Sequence, residues 1–117
     1  AAIVTSHVAC EVSVDRALKL KLTDLGSPEL AEAVDEFLNG YNLANERLRT
    51  LFVAITGLTD LVQQPFWQRF VESSKRRNNI AHTGASVTPV EAKESFAACE
   101  QLVEYIVRRL KLPVFRP

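Results

Sequence analysis

The chain predicts an all-α fold, a bundle of four to five up-and-down helices. Three observations carry this. Helix start and stop signals recur along the chain, apolar residues return at three- and four-residue steps, and no segment alternates as a strand. Helices that are apolar on one side bury that side against one another, and a bundle is the simplest solution.

The elements follow in order. A long first helix runs roughly over residues 2–24. Val4, Val8, Leu18 and Leu22 share one face, while Val12, Val14 and Leu20 spill outside it, which predicts burial on two sides or a dimer surface. Gly26 stops this helix. Ser27 is the N-cap of the next, Pro28 its first residue and Glu29 part of its first turn. Asn39-Gly40 ends that short acidic helix. Tyr41, Leu48, Leu51, Phe52 and Ile55 give the stripe of a third helix, which Gly57 ends or bends. Pro65 suits the first turn of a fourth helix over about 65–82, with Trp67, Phe70, Val71 and Ser74 on its inner side. Thr88-Pro89-Val90-Glu91 is a capping box with proline at the first position. The last helix carries Phe96, Cys99, Leu102, Val103, Ile106 and Leu110 on its apolar face. The loop between the last two helices is polar and contains Gly84.

Composition bounds the function. A chain of 117 residues forms one domain with a core of its own, here taken as residues 1–117. The start Ala-Ala-Ile and the lack of methionine fit a domain excised from a longer chain. Fourteen basic and fourteen acidic residues cancel. That argues against coating nucleic acid by bulk charge and leaves room for a local basic cleft. Cys10 and Cys99 are too few for a disulfide scaffold and read as reduced core residues of a cytoplasmic protein. No apolar run reaches the length of a membrane span. His7 and Cys10 stand three apart, yet no Cys-x2-Cys or His-x3-His accompanies them, so neither a metal nor any other cofactor is expected. No glycine-rich phosphate loop and no nucleophile elbow occurs.

The stretch richest in chemistry is Arg77-Asn78-Asn79-Ile80-Ala81-His82. Phosphodiester cleavage without a metal needs a group that moves a proton near neutral pH and a cation that meets charge on phosphate. His82 and Arg77 are those residue types, and the amides of Asn78 and Asn79 stand between them. Asn78 and His82, four apart, share a side of the helix, with Asn78 at the margin of the buried face. Arg77 and His82 are separated by about 140° and 7.5 Å on a regular helix, so only the length of arginine and fraying at His82 would bring them together. Arg69, Lys75 and Arg76 supply a local basic patch that suits RNA. The competing reading makes His82 a partner of free helix carbonyls and Arg77 one of a surface ion pair near Glu72. Glu11 falls on the apolar side of the first helix, either as an acid orienting Arg77 or His82, or rotated to solvent. Trp67 and Tyr41 read as core or interface aromatics.

The hexapeptide resembles the Arg-x4-6-His signature of the HEPN superfamily (higher eukaryotes and prokaryotes nucleotide-binding). The polar Asn78 directly after Arg77, the helical setting and the position late in the chain belong to the same resemblance. It implies a metal-independent endoribonuclease in which the RNA 2′-hydroxyl attacks the neighbouring phosphorus. His82 would be general acid or base, Arg77 would stabilise the phosphate, and Asn78 would orient them, with Glu11 and Asn79 in support. The resemblance also implies a homodimer with two motifs facing one cleft, and a role as toxin or phage-defence nuclease, with an antitoxin or fused domain as partner. Other members of that superfamily have lost catalysis and only bind nucleotides or protein partners.

Overall fold

The computed structural model describes residues 2–26, 28–38 and 42–112, with the side chains of residues 2–5, 35, 37 and 38 outside the description. Among these residues the chain is all-helical: α1 (Ala2–Asp24), α2 (Pro28–Leu38), α3 (Glu46–Thr56), a 3-10 turn (Leu61–Gln63), α4 (Trp67–Thr83) and α5 (Pro89–Leu110). The bundle is built around α1, which touches every other helix and lies most extensively along α5. α4 in turn packs on α5. Among the described residues, no helix is long and apolar enough to cross a membrane.

The inner face of α1 is not the one the valines predict. His7, Cys10, Val14, Ala17, Leu18 and Leu22 are buried, while Val8, Val12 and Leu20 are exposed. The side chain of Val4 lies outside the described residues. The stripe winds through 7, 10, 14, 17 and 18, a regular three-to-four spacing that a histidine and a cysteine hide from an apolar count. Gly26, at φ 87°, donates its N–H to the Thr23 carbonyl at 2.8 Å and closes α1. Ser27, Asn39-Gly40 and Tyr41, to which the sequence reading gave capping and stripe roles, lie outside the described residues, as do residues 113–117.

Asn45 caps α3 by accepting from the N–H groups of Arg47 (3.0 Å) and Leu48 (3.1 Å). Leu48 and Phe52 face the core, and Gly57 ends the helix at φ 75°. α4 begins at Trp67, two residues beyond Pro65. A 3-10 turn over Leu61–Gln63 precedes it, and residues 64–66 form a turn in which the Trp67 N–H donates to the Gln64 carbonyl at 3.0 Å, so Pro65 lies in the turn before the helix. In α5 the capping box forms as the residues predict: Glu91 N–H to Thr88 Oγ1 at 3.1 Å, Thr88 N–H to Glu91 Oε1 at 3.0 Å. Phe96 leaves the predicted stripe. It is 54% exposed, and the small Ser95 takes the buried place where α5 lies against its neighbours. Ala98, Cys99, Leu102, Tyr105 and Ile106 complete the inner side. Phe52, Phe70, Leu102 and Ile106 are fully buried at the centre. Each contributes about 1.5–3 kcal/mol by leaving water.

Candidate functional site on the second half of α4

α4 carries Trp67, Phe70, Ser73 and Ser74 as its buried residues, and none follows Ser74. Its last nine residues, Lys75 to Thr83, are presented by the bundle rather than absorbed into it. The helix does not fray at His82. It continues to Thr83, whose Oγ1 donates to the Asn79 carbonyl at 2.6 Å and accepts from the Ala85 N–H at 3.2 Å. Gly84 then turns at φ 69° and donates to the Ile80 carbonyl. Left-handed φ at that position is why a glycine stands there. With α4 regular to its end, Arg77 and His82 keep their separation in rotation and rise.

Arg77 is fixed from another helix. Its Nη2 lies 3.2 Å from Oε1 of Glu11 on α1, with both side chains about a quarter to a third exposed. Neither Glu72 nor full solvation is its fate. Glu11 sits beside the buried face of α1 rather than on it, at the edge where a carboxylate reaches α4. A guanidinium offers five N–H donors, and this contact engages Nη2, so the others stay available to an anion while the plane is held.

Two grooves flank the helix. A wide, shallow one of about 550 Å³ is lined by Lys75, Arg76, Asn78, Asn79 and His82. A more enclosed one of about 340 Å³ includes Asn42, Asn45, Ser74 and Arg77 in its wall, again with Lys75 and Asn78. Lys75 and Asn78 are therefore the ridge between them. His82 opens onto one side and Arg77 onto the other. Asn78 is exposed, further out than the margin predicted for it.

His82 is exposed and makes no hydrogen bond or ion pair among the described residues, so it does not tie down the carbonyls at the end of α4. The basic residues divide. Lys75 is exposed on the ridge. Arg76 turns to α5, within 3.5 Å of both Glu91 and Glu94 and 3.4 Å from Ser95 Oγ. Arg69 donates to Gln101 at 3.3 Å, two turns away from the motif. Arg76 and Arg69 thus join α4 to α5, Arg76 while lining the wide groove, and Lys75 and Arg77 are the groove cations not tied to α5. Asn79 lies in the wide groove and receives Thr83 Oγ1 on its side-chain oxygen at 3.3 Å.

One contributor is not foreseen by the hexapeptide. Asn42 donates to Ser74 Oγ at 2.8 Å and turns the 42–45 loop onto α4, making the far wall of the Arg77 groove. Asn42 stands 32 positions before Ser74, and no local signal marks it as a wall of this groove. Trp67 belongs to the core, with the Arg49 guanidinium 5.4 Å from its ring centre. Among the described residues no cluster of three or more histidine, cysteine and carboxylate side chains is placed to hold a metal ion.

No family model, no curated protein and no solved structure matches this chain. The functional reading rests on the residues and their arrangement.

Proposed function

We propose that the chain is a HEPN-type endoribonuclease that cleaves RNA without a metal and works as a homodimer. The observation that carries this reading is the arrangement on α4: an arginine held by a carboxylate from another helix, and an exposed, unengaged histidine across a ridge of amide and ammonium. Lys75 to Asn79 are five polar residues in a row, and Lys75, Asn78 and His82 make no tie within the bundle among the described residues, so their placement suits a ligand. Arg77, with its remaining donors, takes a non-bridging phosphate oxygen. His82 removes the proton from the RNA 2′-hydroxyl or returns one to the departing 5′-oxygen. Attack of the 2′-oxygen on phosphorus then leaves a 2′,3′-cyclic phosphate and a 5′-hydroxyl. Asn78, at the shared edge, orients substrate between the two.

One chain offers Arg77 and His82 on opposite sides of a ridge. Two chains meeting along α4 bring the arginine of one toward the histidine of the other and supply an acid and a base together. Exposed Val8 and Val12 on α1, one turn apart, give such a pairing an apolar margin. A role as a toxin or phage-defence nuclease, with an antitoxin or fused domain as partner and a cytoplasmic setting, belongs to this same reading.

A second reading has an observation of its own. Arg77 is neutralised by Glu11, as a structural cation would be, which favours a non-catalytic helical module that pairs with itself, a nucleotide or another protein.

The two separate on one experiment. His82→Ala is expected to lower RNA cleavage by about a hundredfold or more. Its melting free energy should stay within about 0.5 kcal/mol of the parent, because His82 is a surface residue. Cleavage by the parent protein should persist in a chelator. An alanine variant that cleaves at the parental rate removes the enzymatic reading, and a need for added divalent ion replaces the mechanism.

A further inference from the structure

The core holds a second chemical cluster, away from the α4 surface. α1, α4 and α5 meet around His7, Cys10, Ser73 and Cys99, each no more than 2% exposed. His7 Nε2 lies 2.8 Å from Ser73 Oγ. The Cys10 thiol donates toward the Cys99 carbonyl at 3.5 Å. His7 Nδ1 is buried with no partner among the described residues. Four hydrogen-bonding side chains in the middle of an apolar bundle cost stability that well-packed aliphatic residues would not. The packing of the bundle does not need them.

We propose that Cys10 and Cys99 are a redox modification site, closing to an intramolecular disulfide when a small peroxide reaches them. Three features support this beyond the presence of two thiols. First, Cys10 Sγ already touches the main chain of Cys99, and a disulfide requires Cα atoms only about 4.4–6.8 Å apart. Second, Cys10 borders a cavity of about 20 Å³, with Glu11, Val14, Asn42, Leu43, Phe70 and Leu102 around it. That volume accepts a water-sized molecule. Glu11, about a third exposed, brings the cavity close to the surface. Third, the surroundings differentiate the two thiols. The hydrogen bond with Cys10, followed by those from His7 and Ser73, holds Cys99 below its usual range. The same bond to Cys99, and then burial, push Cys10 up. The cavity reaches Cys10 and not Cys99, so Cys10 sulfur meets the peroxide and the more acidic Cys99 resolves.

The chemistry balances. Cys10 sulfur attacks one peroxide oxygen, the O–O bond breaks, and the departing hydroxide takes the Cys10 proton to become water. The sulfenic acid left on Cys10 is attacked by Cys99 sulfur. The S–S bond forms as the S–O bond breaks, and the second oxygen leaves as water with the Cys99 proton. Two thiols are oxidised by two electrons, and one peroxide is reduced to two waters. The product ties α1 to α5 covalently, one residue before the carboxylate that holds Arg77. The inference stands on the core alone and does not draw on the RNA reading.

Hydrogen peroxide added to the folded, reduced protein tests it. The intact chain should lose about 2 Da. Both thiols should disappear from a titration run in denaturant, and the chain should run as a faster monomer on a non-reducing gel. Dithiothreitol should reverse all three. Cys10→Ala and Cys99→Ala should each abolish the fast monomer. Should either variant fail to fold, the mass of the oxidised parent still decides. Persistence of both thiols, a gain of oxygen mass without bridge formation, a disulfide-linked dimer, or bridging only after urea has unfolded the helices would each overturn the proposal.

Discussion

The two halves of α4 are one helix with two assignments. From Trp67 to Ser74 it supplies the core: Trp67 and Phe70 stack at 5.5 Å, Phe70 approaches the His7 ring at 5.6 Å, and Ser73 and Ser74 are buried. From Lys75 to Thr83 nothing is fully buried, and most of the side chains are cations, amides and an imidazole. Folding accounts for the buried aromatic residues of the first half. It accounts for only part of the second, where Arg76 and Thr83 make local ties while Lys75, Asn78 and His82 serve nothing in the bundle. Chemistry that the fold does not consume is what a binding surface is made of.

The largest test of this division is in the first half. Phe70 is fully buried among Trp67, His7 and the cavity beside Cys10. Phe70→Ala is expected to destabilise the chain by about 3–5 kcal/mol, measured as a fall in the urea midpoint. A loss of that size leaves little of the stability of a small domain. Were Phe70→Ala to cost no more than a surface substitution, the first half would not be the anchor, and the presentation of the second half would need another cause.

A smaller effect is expected where the second half meets α1. Glu11→Gln keeps an oxygen beside Arg77 and removes the charge that holds it. On the proposed mechanism kcat for RNA cleavage falls about tenfold, the size of about 1.4 kcal/mol in the barrier. KM is not raised, because the guanidinium keeps its full charge for phosphate. Stability changes by less than about 1 kcal/mol, the ordinary worth of a half-exposed ion pair. Unchanged kcat and KM together would make Glu11 and Arg77 a surface pair and nothing more.

How far the sequence carried this picture differs from element to element. The helices, the Thr88 capping box and the stops at Gly26 and Gly57 were legible because caps and left-handed glycines are local chemistry. The inner face of α1 was not, because His7 and Cys10 take core positions that an apolar count assigns to valines. Phe96 failed in the opposite sense: a large apolar residue lies in solvent where Ser95 fits the closer approach. On α4 the hexapeptide was visible as a pattern, and five-residue spacing foretold that Arg77 and His82 diverge. The partner of Arg77 was weighed among several and only packing selects it, since Glu11 lies 66 positions away in the chain. The wall made by Asn42 was invisible for the same reason. Local signals reveal which residues a helix presents, and long-range contacts decide what holds them.

The smallest expected effect concerns acid, and it separates the halves by what ties them down. The second half of α4 is joined to α5 through Arg76 and Glu91. The Thr88 N–H, then the Thr88 hydroxyl, and then the charge of Arg76 hold the Glu91 carboxyl below its usual range. Asp60 is likewise lowered, first by the Tyr105 hydroxyl at 2.5 Å and then by Arg109. A carboxyl whose folded pKa lies below its unfolded value binds fewer protons when folded. Its contribution is complete above the unfolded value, near pH 4, and is lost as pH falls through the lower, folded value. The urea midpoint should therefore drop by roughly a few tenths molar between pH 5 and pH 3. Thr88→Ala, which removes the hydroxyl that helps hold the Glu91 carboxyl low, should flatten part of that drop, and Asp60→Asn another part. Hydrogen exchange should show Lys75 to Thr83 opening before Trp67 to Ser74, because acid releases Arg76 from Glu91 and leaves Phe70 where it is. Simultaneous opening of both halves would mean that α4 is one cooperative unit, and that its polar half depends on the core beneath it more than on its ties to α5.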